Sequence, residues 1–197
     1  MEEKISDGLV DVFADGADIV IGLAEGIPGV GVAVKAAKLY GTIRDRIFMR
    51  QVEGFLRELD KTSKAERNAF LQDLDDGGKA ERFGDTVTLM LAQLDNLEKS
   101  TIIGRLYSAA IRGDVELQVA ERVSGMVSRV FISDLPILSQ YREAAFIEDD
   151  TVVAGLAAIG LLRSSQPQQS AFAVGNSHGA YYQLSDFGAI LIRYGLE

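Results

Sequence analysis

The stretch SDGLVDVFADGADIVIGLAE, Ser6–Glu25, decides how this chain reads. Its charged residues are all acids, Asp7, Asp11, Asp15, Asp18 and Glu25, and no basic residue lies between Lys4 and Lys35. The spacings 4, 4, 3 and 7 are the return spacings of an α-helix. At about 100° per residue, the carboxylates fall inside an arc of roughly 80°. Almost everything else in the stretch is apolar or small. The spacing therefore predicts a helix with a narrow acidic stripe and an apolar surface around most of its circumference. A surface helix of a globular domain has the opposite proportions.

Such a helix must be surrounded on most sides, and two coverings satisfy it. In the first, it sits in the protein's own core with its polar edge in water. In the second, copies assemble into a membrane ring with Asp7, Asp11, Asp15, Asp18 and Glu25 lining a lumen. Leu9, Val12, Phe13, Val20 and Leu23 then face lipid or neighbouring helices. An aspartate at the bilayer centre costs a lone helix about 2.5–3.5 kcal/mol. Insertion therefore requires triggered oligomerisation, with the apolar hairpin sheltered beforehand. Gly8 to Ala24 spans about 25 Å as a helix, near the roughly 30 Å of a hydrocarbon core.

Composition narrows the function classes. The chain has 197 residues, 47% of them hydrophobic and 25% charged, which is globular rather than disordered. With no cysteine and one histidine, His178, thiol catalysis, disulfides and multi-histidine metal sites are excluded. No catalytic constellation, cofactor motif or metal motif is present, and the expectation is a protein that is not an enzyme. The glycine-rich GIPGVG at 26–31 lacks the Gly-Lys-Ser/Thr ending of a phosphate loop. A net charge of −9 argues against nucleic acid, whose affinity comes largely from basic residues neutralising phosphates. The acidic start, Met1-Glu2-Glu3, is unlike a signal peptide. No run of about 18 uncharged residues predicts a permanent transmembrane helix. The expected location is cytoplasmic, with conditional membrane association.

Working outward, Gly26–Gly31 breaks the first helix, and Pro28 suits the opening turn of a second, expected from about Val30 to Asp60. Lys35, Lys38, Arg44, Arg46 and Arg50 form the dense basic stretch that follows the apolar hairpin. They suit anionic headgroups, or equally the solvated face of a long helix. Ser63-Lys64-Ala65-Glu66 is a capping box. Further helices are expected at about 79–97, 100–112 and 115–131, with a short one after Pro136 through Phe146. Asp150 caps a helix predicted over 151–162. A hairpin is predicted from 171–174 and 180–183 flanking Gly175–Gly179, and Ser185 caps a final helix. The expected division is 1–60, the striped hairpin and long helix; 61–148, a helical core; and 149–197, a small module.

The last part, with Gly160-Leu161-Leu162, a wing, and Tyr182–Gly188, resembles the winged-helix family. The expected fold class is mainly α, with a small winged-helix-like C-terminal module carrying a two-stranded wing. From Thr151 to Glu197 the basic residues are Arg163 and Arg193, balanced by Asp186 and Glu197. A groove-binding wing without a basic surplus is implausible. Asn176 and His178 at the wing tip are better read as facing a protein partner or solvent.

The whole layout resembles small bacterial and prophage-encoded proteins of phage–host conflict. The residues that carry the likeness are the apolar Gly-rich lead, the segment Ile43-Arg44-Asp45-Arg46-Ile47-Phe48, the helical middle and the winged-helix-like end. The resemblance implies a non-enzymatic defence effector. It would sense a phage or other protein trigger, form a homo-oligomer and contact the inner membrane as a pore. The alternative expectation is a winged-helix-type regulator or adaptor with no membrane activity.

Overall fold

The computed structural model describes residues 42–142, 145–148, 150–165 and 179–197. The expectations for Asp7, Leu9, Asp11, Val12, Phe13, Asp15, Asp18, Val20, Leu23, Glu25, Lys35, Lys38, Asn176 and His178 lie outside the described residues. Two compact units divide the chain, Met1–Gly104 and Arg105–Glu197. The fold is mainly helical with one small antiparallel sheet.

In the first unit, α1 runs Ile43–Leu59, α2 Lys64–Asp76 and α3 Ala80–Ala92, and α4, Leu97–Ile111, begins there. The second helix of the hairpin was expected to start near Val30. Residues 30–41 lie outside the described residues; the expected run to Asp60 is interrupted at Thr42, which is extended (φ −74°, ψ 163°) and closes a capping box with Asp45, so α1 starts at Ile43. The Ser63–Glu66 box forms as expected. The Ser63 hydroxyl accepts from the Glu66 N–H at 3.2 Å, and the Glu66 carboxylate accepts from the Ser63 N–H at 2.7 Å. The helix expected over 79–97 stops at Ala92, and Asn96 restarts the chain by accepting the Glu98 N–H at 2.8 Å. An Asn side chain that bonds its own backbone two residues on favours a turn over helix continuation.

Val52, Phe55, Leu56, Leu59, Phe83, Val87, Leu91 and Ile103 are among the buried side chains of this unit. Two glycines let α1 and α4 approach. A Cβ on Gly54 would lie 2.6 Å from the Ser100 hydroxyl oxygen. One on Gly104 would lie 2.7 Å from the Phe55 carbonyl oxygen and 2.9 Å from Glu58 Cβ. Polar groups inside are held: the buried Gln51 amide donates to the Leu94 carbonyl at 2.8 Å. Lys99, only 1% exposed, pairs with Asp95 at 2.7 Å. That bond holds the Asp95 carboxyl below the usual carboxylate range.

In the second unit, α5 covers Leu117–Val127, followed by a 3₁₀ segment, Ile132–Tyr141, that contains Pro136. Then come β1 Ala145–Glu148, α6 Thr151–Ile159, β2 Leu162–Ser165, β3 Gly179–Leu184 and α7 Asp186–Leu191, which runs on into a π turn, Ile192–Leu196. The sheet order is β1-β3-β2, antiparallel throughout, with Phe146 opposite Tyr181 and Leu162 opposite Leu184. Ala145 and Phe146 were expected at the end of a short helix and instead open the strand Ala145–Glu148. The expected wing strand at 171–174 lies outside the described residues, and the described partners of 179–184 are 145–148 and 162–165.

The helix before the sheet ends earlier than expected because Gly160 is left-handed (φ 97°), a conformation open to glycine. Its start is as expected, with the Asp150 carboxylate accepting from the Val152 and Val153 N–H groups. Ser185 then locks the turn into α7. Its N–H donates to the Leu161 carbonyl at 3.1 Å and its hydroxyl to the Gly160 carbonyl at 2.7 Å, and that hydroxyl accepts the Gly188 N–H at 3.0 Å.

The glycine contacts give a paired stability prediction. Gly104→Ala drives a methyl against the backbone of α1 and should cost about 1–3 kcal/mol, despite the better helix propensity of alanine. Gly125, inside α5, has open space around its Cβ position. Gly125→Ala should be neutral or stabilising by up to about 1 kcal/mol. Denaturant midpoints of the two variants check both signs.

Candidate functional site

The described part of the expected membrane-proximal site is the start of α1. The helix buries one side from Gln51 onward: Gln51, Val52, Phe55, Leu56, Glu58 and Leu59. Projected at 100° per residue, Ile43 and Ile47 fall on the flank of that side, in line with Gly54 and Glu58. At Gly54 and Glu58 the flank is covered by α4, through Ser100 and Gly104. The cover ends with the first turn of α4, where Leu97 is itself 40% exposed. One turn and two turns beyond, Ile47 is 47% and Ile43 77% exposed. The apolar side of α1 thus runs out from under its neighbour.

Charge brackets these isoleucines. Arg44, Arg46 and Arg50 are all exposed. On the same projection Arg46 and Arg50 lie to one side of Ile43 and Ile47, and Arg44 to the other. Among the described residues, neither Arg46 nor Arg50 is in a salt bridge, whereas Arg57 pairs with Glu53 further along the helix. The structure therefore brings the three expected arginines together around two exposed isoleucines. Sequence reading had grouped the arginines and had not singled out the isoleucines. Their signal was present: positions 43, 47 and 51 repeat at helical spacing, and only the third is covered.

The capping box fixes where this patch begins. The Asp45 carboxylate accepts from the Thr42 hydroxyl and from the Thr42 N–H at 2.9 Å, while the Thr42 hydroxyl accepts the Asp45 N–H at 3.2 Å. The Thr42 hydroxyl chiefly, then its N–H, hold the Asp45 carboxyl below its ordinary value of 3.8, and Arg44 adds to this. An acid in the first turn also suits the helix dipole.

A cleft lies within the other unit. It is open, about 370 Å³ in volume, and lined by Asp114, Val115, Glu116, Val119, Ala189, Ile190, Arg193 and Tyr194. Its charges are partly engaged: Asp114 pairs with Arg112 at 2.8 Å, and the Arg193 guanidinium sits 5.1 Å from the Tyr194 ring centre. The lining offers no nucleophile beside a base. Among the described residues, no three His, Cys, Asp or Glu side chains converge to hold a metal ion. No helix of the described residues is long and apolar enough to cross a membrane. Compared with known proteins, the chain matches no family model, no curated protein and no solved structure.

The box also gives the start of α1 a pH dependence. A carboxyl with a lowered folded value stabilises the folded state above its ordinary value, and that stability fades as pH falls through the folded value. Below about pH 4, amide protection of Asp45 and Arg46 should therefore drop before that of Phe55 and Leu56. Asp45→Asn should abolish the pH step. Hydrogen exchange across this range checks it, and equal protection loss along the whole helix would contradict it.

Proposed function

We propose that this protein is a non-enzymatic, membrane-permeabilising effector of phage defence, whose N-terminal acid-striped segment becomes the wall of an oligomeric pore. The observation that carries the reading is the uncovered, arginine-bracketed start of α1, which follows that apolar segment in the chain after residues 26–42. Exposed isoleucines beside basic side chains form the composition that settles at an anionic membrane surface. Each basic group near such a surface contributes about 1 kcal/mol. In a ring, Asp7, Asp11, Asp15, Asp18 and Glu25 would face water and escape most of the penalty a lone helix would meet. Leu9, Val12, Phe13, Val20 and Leu23 would face lipid or the next copy, and Lys35, Lys38, Arg44, Arg46 and Arg50 the headgroups. The helical middle and the sheet unit would receive the protein trigger, with Asn176 and His178 as contact residues of the connection between β2 and β3.

The second reading is a winged-helix-type regulator or protein-binding adaptor. The strand order β1-β3-β2, with α6 leading into β2, is the observation in its favour. Charge limits it to protein partners, since residues 151–197 have as many acids as bases. An enzymatic role has no support in the residues lining the open cleft.

Three assays separate the readings. Purified full-length protein is added to dye-loaded vesicles containing anionic lipid, and potassium efflux is followed in bacteria expressing it, with and without phage infection. The pore reading expects leakage in at least one setting and its loss in Asp11→Leu/Asp15→Leu. That loss should come with stability changed by no more than about 0.5 kcal/mol per site. Absence of leakage in every setting, or equal leakage for both proteins, would reject it. A salt-sensitive gel shift with duplex DNA at micromolar protein would promote the regulator instead.

A further inference from the structure

We draw no further inference here: the strongest candidate, the open cleft between the start of α5 and the π turn after α7, with Val119, Ile190 and Tyr194 in its lining and Glu116 and Arg193 beside them, carries nothing, because a lining of both charge signs selects no one partner and nothing in the structure shows what covers it.

Discussion

The first unit depends on the close approach of α1 and α4 at two glycines. Gly54 admits Ser100, and Gly104 lies against the backbone of Phe55 and the Cβ of Glu58. At Gly104 a side chain would meet backbone, which cannot step aside, so that contact fixes how closely the two helices pass; at Gly54 only the Ser100 hydroxyl would have to move. Close packing of this kind gains dispersion contacts that a wider spacing forfeits. It also determines where the cover over α1 stops. The buried side from Gln51 onward lies under neighbouring helices; Ile47 and Ile43 lie past the end of α4 and are exposed. The exposed patch is thus a consequence of helix register and helix length. The second unit has its own close contact, where the Leu161 carbonyl oxygen lies near the Cα of Gly188 and accepts from Ser185. That junction fixes how α6, the sheet and α7 follow one another.

Burial of charge follows the same geometry. Lys99 occupies the apolar side of α4 together with Ile102, Ile103 and Leu106. Its ammonium meets Asp95 at the helix's edge, so a cation is taken inside with an acid at its exit. Breaking such a pair costs more than its formation contributes, since a desolvated charge is left behind. Tyr107, buried on the same helix, has its phenol pushed far above the usual range by burial first and by Glu121 second, and it stays neutral. Arg46 and Arg50 of α1 contrast with both: they are exposed and, among the described residues, in no salt bridge.

Much of this was legible in the residues. The Ser63–Glu66 box, the Asp150 and Ser185 caps and the mainly helical class follow from local hydrogen-bonding chemistry that neighbouring side chains settle by themselves. What was not legible depended on partners distant in sequence. Residues 145–148 form a strand because β3 offers them a free edge, and nothing within Ala145–Glu148 announces that edge. The break at Thr42 was available in principle, since Thr42 and Asp45 have capping-box spacing, but one helix was expected from about Val30 to Asp60. Lys99 lies at helical spacing with Ile103 and Leu106, and nothing in its charge announces that it is buried with them. As for the site, the arginines were found by their density. Ile43 and Ile47 emerge only once it is known which turn of α1 loses its cover.

The claim at the centre is that the acidic stripe lines a water-filled lumen, and ion selectivity tests it most directly. The reversal potential of the full-length protein in a planar anionic bilayer, under a potassium chloride gradient, reports the sign of the lumen charge. Rings of carboxylates predict cation selectivity, and Asp11→Lys/Asp15→Lys should turn it toward anions. Channels that are anion-selective or unselective, or whose reversal potential is untouched by that double substitution, would contradict the stripe as a pore lining.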